Sequence, residues 1–290
     1  MINKLIDGQF LSQKIITKIK KQVDLMPRQP GLAAVLIGDD ERSQLYVKLK
    51  KAACEKCGIF FHAYKFSNDC DEKQILECID FLNKDDEVNG ILVQLPLAKK
   101  FNTDKIINAI DYKKDIDGFH PINRQNMKKC VYKIIPPLPL AIIELENSTK
   151  EIIKNKKIVV LCNNKIIGGP FKCVWGKDND LKILDLNDKW KDAVKEADVL
   201  ITAIGKPKFI KKNMIKEGVI VVDAGINKIQ SARHKAQNKS KIKNSKSKIV
   251  GDVDFKDVLS TVKFITPVPG GVGPMTIAML LTNLVKIAKK

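Results

Sequence analysis

The sequence predicts an α/β protein of two successive domains, each a mostly parallel sheet covered by helices. Three observations predict it. Short apolar runs of strand length alternate with helix-length segments along most of the chain. Several of those runs are apolar at nearly every position, as strands buried on both faces are. The rhythm restarts after a proline-rich stretch, Pro136–Pro139, and 290 residues suffice for two domains.

The elements follow in order. Ala33–Gly38 (AAVLIG) reads as a buried strand. Ser43–Cys57 reads as a helix, with Ser43 as N-cap and Gly58 as its stop. Ile59–Phe66 reads as a strand, Glu72–Leu82 as a helix and Gly90–Leu95 (GILVQL) as a strand. This βαβα order argues for parallel pairing under helices. Past the prolines, a helix over about Ala141–Asn155 leads to strand Lys157–Cys162 (KIVVLC) and a short helix at Ile167–Val174. Strand Lys182–Leu186, helix Trp190–Ala197 and strands Asp198–Ile204 and Val219–Asp223 come next, an order resembling a dinucleotide-binding fold. Val272–Lys290 is an apolar helix after a Gly-Gly turn.

Composition excludes several classes. A hydrophobic fraction of 44% suits a globular chain. No run nears the roughly 20 apolar residues that span a bilayer, and Met1–Phe10 lacks a signal-peptide core. A cytoplasmic protein without a membrane partner is the expectation. Cys54 and Cys57 form a C-x-x-C, but no second pair follows at zinc spacing and the chain has three histidines, so no metal site is expected. The formal charge of +19 invites a nucleic-acid partner. From Lys228 to Lys248, however, seven lysines and one arginine stand with no acid and no Phe, Tyr or Trp. Lacking a base-stacking platform, that stretch reads as a solvated basic loop, residues 228–249, and nucleic acid is not an expected partner.

Three segments bear chemistry. Ser43, Tyr46 and Lys50 recur at i, i+3 and i+7, one stripe of a helix that alone is as readily a solvated face. Gln94 stands at the carboxyl end of a strand, before a Leu-Pro step, where ligands of parallel sheets gather. Asp115 and Asp117 precede Gly118 in a tight turn; such acids either cap the turn or hold the amine and ring N–H groups of a ligand.

These segments also carry a resemblance. S-x-x-Y-V-x-x-K at Ser43–Lys50, GILVQLPL at Gly90–Leu97, KDIDGFHPIN at Lys114–Asn123 and TPVPGGVGPMT at Thr266–Thr276 resemble signatures of the methylenetetrahydrofolate dehydrogenase/cyclohydrolase family, in order and spacing. IDG at Ile6–Gly8, PGLAAVLIG at Pro30–Gly38 and GDVDF at Gly251–Phe255 extend the likeness nearly end to end. The resemblance implies oxidation of 5,10-methylenetetrahydrofolate with NADP, or NAD, to the 5,10-methenyl cation, then hydrolysis to 10-formyltetrahydrofolate. It implies Lys50 as the catalytic lysine, Gln94 as the residue that positions it, and Tyr46 as a platform for the pterin ring. Asp117 pairs with the pterin nitrogens, Ser43 supports the site, and Pro269, Gly270 and Gly271 form a wall of the folate pocket. A lysine between low-dielectric walls and a cationic ligand has a lowered pKa and can shuttle protons near neutrality. The resemblance further implies a homodimer. It divides the chain into a folate-catalytic domain, residues 1–139 with 270–290, and a Rossmann-like NAD(P)-binding domain, residues 140–269.

The cofactor side departs from the family pattern, Gly-Arg-Ser-x-x-Val-Gly-x-Pro. Cys162 replaces its turn glycine, which predicts a strained or reshaped turn. Asn163 and Asn164 replace the arginine and serine that meet the extra phosphate of NADP, while Ile167 and Gly168 fit. Asp185 falls at the next strand end, as either an acceptor for the ribose 2′-hydroxyl of NAD or a surface acid. Leu138 replaces a threonine; Gly205, Gly225 and Ile226 match residues around the cofactor. Two outcomes follow, a bifunctional enzyme or chiefly a cyclohydrolase with an eroded dinucleotide site.

Overall fold

The structure, a computed structural model, describes residues 4–230 and 247–289. In chain order the first elements are α1 (Gly8–Val23), β1 (Gly31–Ile37), α2 (Glu41–Cys57), β2 (Phe60–Phe66), α3 (Glu72–Lys84), β3 (Gly90–Val93), α4 (Thr103–Asn108) and α5 (Pro121–Lys128). Then come α6 (Pro137–Asn147), β4 (Lys157–Cys162), α7 (Gly169–Trp175), β5 (Asp180–Leu184), α8 (Lys191–Glu196), β6 (Val199–Ala203) and β7 (Ile220–Asp223). The chain continues through β8 (Asn227–Gln230), β9 (Ser247–Val250), α9 (Phe255–Val258), β10 (Phe264–Ile265) and α10 (Val272–Ala288). It divides into two compact units: Phe10–Ala141 with Thr276–Lys290, called the lysine unit below, and Met1–Gln9 with Ile142–Met275, called the strand-edge unit.

The lysine unit is built on a parallel sheet ordered β2-β1-β3. β1 is its middle strand and is buried at all seven positions, which is why it reads as an unbroken apolar run. One core cluster joins Leu32, Ala34 and Leu92 of the sheet to Cys54 and Cys57 of α2 and to Leu280, Leu281, Leu284 and Val285 of α10. The C-terminal helix thus completes a core begun some 250 residues earlier in the 290-residue chain. Asn283 of α10 donates to the Ile116 carbonyl at 3.0 Å and the Ile135 carbonyl at 2.8 Å. Its amide hydrogens satisfy two backbone acceptors, one buried and one partly buried.

One boundary of α2 differs from expectation and the other agrees. Asp40, not Ser43, caps α2: its carboxylate accepts from the Ser43 N–H at 2.8 Å, and Ser43 lies inside the first turn. Both are good capping residues, and the one further upstream took the position. Gly58 ends α2 with φ 71, the left-handed conformation glycine adopts without cost.

The strand-edge unit carries a five-stranded parallel sheet ordered β10-β7-β6-β4-β5. From β4 the chain runs outward to β5 on one side and to β6, β7 and β10 on the other. That reversal at β4 creates a crevice at the carboxyl ends of the strands, the ligand-binding edge of open parallel sheets. The first helix near this unit, α6, is shorter than the expected Ala141–Asn155 and starts at Pro137, and β5 starts two residues before the expected Lys182. Lys228 and Lys248 are not in a loop: they lie in β8 and β9, which pair as an antiparallel ribbon. The remainder of the expected basic loop, residues 231–246, lies outside the described residues.

Glu146, near the end of α6, is 1% exposed, and its Oε1 has no hydrogen-bond partner. Burial pushes its carboxyl up to about 7, opposed by a hydrogen bond with Thr149 and aided by Glu151. A carboxyl whose folded pKa is raised favours folding at low pH, and that contribution is lost as pH rises, here from about 4.5 to about 7. At pH 8 the buried charge costs roughly 3–4 kcal/mol, at about 1.4 kcal/mol per pKa unit. Glu146→Gln is therefore expected to raise the melting temperature at pH 8 but not at pH 4.5. Thermal unfolding at the two values checks this, and an equal shift at both would assign the gain to something other than ionisation.

Candidate functional site

In the lysine unit, α2 presents Tyr46 and Lys50 one turn apart while Ser43, Val47, Cys54 and Cys57 face the core. β3 ends at Val93, so Gln94 is the first residue beyond the sheet, held by its N–H on the Val35 carbonyl at 2.8 Å. The Lys50 amine donates to Gln94 Oε1 at 2.9 Å. Gln94 Nε2 donates to its neighbour, the Leu95 carbonyl, also at 2.9 Å. With its amino end committed there, the glutamine turns its oxygen to the lysine. The Leu95–Pro96 peptide is cis.

Asp117 enters from the turn after a single bridge between Ile91 and Asp115. Asp115 builds that turn: it is 1% exposed and accepts from the Gly118 N–H at 3.0 Å, the His120 N–H at 2.8 Å and Asn123 Nδ2 at 2.9 Å. Of the two acids, Asp115 is therefore the turn-former, and Asp117 is left to act on Lys50. Burial lowers the Lys50 pKa, while the charges of Asp117 and Cys54 act to raise it. Burial pushes the Asp117 carboxyl up to about 6, with Lys50 opposing and Asp115 adding to the rise. A lysine whose pKa is lowered and a carboxyl whose pKa is raised are brought closer together in proton affinity, which favours proton transfer at this site. Tyr46 is partly buried, and burial raises its phenol pKa, keeping it a neutral aromatic surface.

In the strand-edge unit, the residues expected around a cofactor all follow parallel strand ends on one edge. Cys162 ends β4, Asp185 follows β5, Gly205 lies two residues past β6, and Gly225 and Ile226 follow β7. The strain expected at Cys162 is absent. It is fully buried, pairs with Ala203 in the ladder, and like Asn163 and Asn164 avoids positive φ. The chain stays extended through the cysteine, so no glycine conformation is demanded there. Gly168 is required for a different reason: a Cβ there would run into the Ile183 side chain of β5. Asn163 is exposed, and its carboxamide donates to the Ile204 carbonyl just after β6. Asp185 Oδ1 accepts from the Asn187 N–H at 2.7 Å, and Ile226 is 46% exposed on the same edge. In the same unit, Gly270 takes φ 106 in the Pro269–Gly271 turn, and its carbonyl accepts from the Gln9 N–H at 2.8 Å.

Sequence reasoning passed over Asp223 and Asp252, which are buried at this edge. Their signal was present: they are the acids of the VVDAGIN and GDVDF segments.

A parallel sheet open at its carboxyl edge, together with a unit bearing a lysine–glutamine–aspartate cluster, defines a dinucleotide-dependent α/β enzyme. The catalytic-domain profile of the tetrahydrofolate dehydrogenase/cyclohydrolase family matches residues 6–117, and its NAD(P)-binding-domain profile matches residues 136–290. The chain belongs to this family. The bifunctional protein FolD of Nautilia profundicola is 40% identical over 293 residues, covering 98% of this chain and 97% of its own. Among solved structures, the bifunctional FolD enzyme of Campylobacter jejuni superimposes with a TM-score of 0.90 at 38% identity, covering 98% of each chain. The Trypanosoma brucei dehydrogenase-cyclohydrolase, solved with NADP and an inhibitor, gives 0.89 at 28% identity, covering 98% of this chain and 97% of its own.

Proposed function

We propose that this chain oxidises 5,10-methylenetetrahydrofolate to the 5,10-methenyl cation with NADP or NAD and hydrolyses the cation to 10-formyltetrahydrofolate. The observation that carries this reading is the Lys50–Gln94 hydrogen bond, with the Asp117 carboxyl acting on the same amine. In this reading Lys50 takes the proton that attacking water must lose, and Gln94 fixes the amine for that transfer. Asp117 pairs with the pterin's amino and ring N–H groups, Tyr46 stacks on the ring, and Ser43 keeps the start of α2 in register beneath them. Pro269, Gly270 and Gly271 line the folate pocket. Folate-catalytic residues then span 1–139 with 270–290, and dinucleotide-binding residues span 140–269.

The nicotinamide, when bound, accepts the hydride. Cys162, Asn163, Asn164, Ile167, Gly168, Asp185, Gly205, Gly225 and Ile226 are the residues assigned to hold the dinucleotide, and their gathering on one strand edge supports the assignment. A homodimer working in the cytoplasm, feeding one-carbon units to purine and amino-acid synthesis, completes the reading. Mixing purified protein with methylenetetrahydrofolate and each nucleotide, and following methenyl absorbance, tests it. Hydrolysis without oxidation by either nucleotide would favour a cyclohydrolase alone, the reading favoured by an asparagine whose amide is committed to the Ile204 carbonyl.

Asp185 sets an expectation for the choice of nucleotide. A carboxylate beyond this strand repels a 2′-phosphate and accepts from a 2′-hydroxyl. Asp185→Ser is expected to lower KM for NADP roughly tenfold relative to NAD, the effect of about 1.4 kcal/mol. Steady-state kinetics with both nucleotides measure the ratio, and an unchanged ratio would make Asp185 a surface acid.

A further inference from the structure

The carboxyl edge of the five-stranded sheet holds two buried carboxylates that the chemistry above does not use. Asp252 is fully buried and Asp223 is 3% exposed. Asp252 Oδ2 accepts from the Ile204 N–H at 2.7 Å and the Gly205 N–H at 3.3 Å. Its Oδ1 accepts from the Lys206 N–H and from Asn227 Nδ2, each at 2.9 Å. Three consecutive backbone amides after β6 thus converge on one carboxylate, the arrangement with which a peptide nest grips an anion.

Asp223 does the same for the neighbouring segments. Its Oδ1 accepts from Thr202 Oγ1 at 3.2 Å, the Gly225 N–H at 2.9 Å and the Asp252 N–H at 3.0 Å, and its Oδ2 from the Val253 N–H at 2.9 Å. Its own N–H donates to Thr266 Oγ1 at 2.8 Å. Among the described residues, the donors to the two acids are backbone amides, one hydroxyl and one carboxamide, with no charged side chain among them. Two glycines make room: a Cβ at Gly225 would fall on the Asp252 carboxylate, and one at Gly251 on that of Asp223.

The strands do not need these bonds, because β4, β6 and β7 already hold one another through their ladders. The bonds fall instead on the turns after β6 and β7, which bear Gly205, Gly225 and Ile226. We propose that Asp252 and Asp223 are positioning residues for the dinucleotide: they fill the anion nest at residues 204–206 with the protein's own charge and hold both turns in their receiving shape. The amides of that nest are then closed to the cofactor's phosphates, which are left to the turn between β4 and α7. The proposal rests on the function stated above for its kinetic consequence and not for its structural one.

The test uses the full-length protein with Asp252→Ala and, as a milder change that removes the charge but keeps the shape, Asp252→Asn. Hydrogen–deuterium exchange of peptides covering 203–206 and 224–227 reads the anchor directly. Steady-state assays read KM for the nucleotide, and nucleotide-free methenyl hydrolysis reads the other activity. Amide exchange at 204–206 is expected to rise about tenfold or more, as loss of a charged acceptor implies. KM for the nucleotide is expected to rise by a similar factor, while hydrolysis stays close to the parent rate. Unchanged exchange in a folded variant would overturn the anchor. A parallel fall of both activities with melting temperature would reduce the two acids to general supports of the fold. If Asp252→Ala does not fold, Asp252→Asn decides the matter on the same readouts. A parent enzyme that hydrolyses but never oxidises would sink the functional reading, while the exchange measurement still rules on the anchor.

Discussion

Lys50→Ala is expected to lower the rate of methenyl hydrolysis on the order of 10²–10⁴-fold, the span that a positioned proton-transfer group contributes. The amine is hydrogen-bonded to Gln94, and burial lowers its pKa. A larger share is therefore neutral near pH 7 than for a lysine in water, and only the neutral amine accepts a proton. Lys50→Arg is expected to fail almost as badly, because a guanidinium does not deprotonate in this range. Gln94→Ala is expected to cost less, since it frees the amine without removing it. Single-turnover hydrolysis of the methenyl substrate separates these cases from changes in binding. Parent-like turnover in Lys50→Ala would remove the lysine from the reaction altogether.

Asp117→Asn is expected to raise KM for the folate by roughly 10- to 100-fold, from the loss of hydrogen bonds to a charged acceptor at about 1.5–3 kcal/mol. The pH behaviour gives a sharper signature. The Asp117 carboxyl lies at about 6, so it is ionised above that value and neutral below. Folate affinity in the parent enzyme should therefore weaken as pH falls through about 6, and Asp117→Asn should abolish that dependence. The same variant removes a charge that raises the Lys50 pKa, so the limb of the rate profile belonging to Lys50 should move to lower pH. Substrate affinity measured from pH 5 to 8 decides it, and identical pH dependence in parent and variant would place Asp117 outside the binding site.

The core strands were legible because β1, β4, β6 and β7 lie in sheet interiors and are apolar almost throughout. α1 went unread although Leu11, Ile15, Ile16, Ile19 and Val23 recur at helical spacing on its covered face, with Lys14, Lys18 and Lys21 exposed on the other. β8 and β9 went unread because four-residue strands flanking a lysine-rich segment carry no alternation long enough to register. The pairing of Lys50 with Gln94 could not be read from spacing, since 44 residues separate them. It depends on β3 lying beside β1, a fact of strand order, and the family resemblance supplied what periodicity could not. Glu146 was invisible for a related reason: a Glu near a helix end ordinarily meets water, and tertiary burial alone makes it unusual.

The late return of α10 to the core around β1 and β3 also fixes an order of events during synthesis. Leu280, Leu281, Leu284 and Val285 complete that apolar cluster, so nascent chain ending before them leaves one face of the sheet uncovered. The unit that emerges early from the ribosome is thus the one that must wait, while all strands of the five-stranded sheet have been made by residue 265. For that interval the exposed parallel strands are a natural client for a chaperone that binds apolar segments.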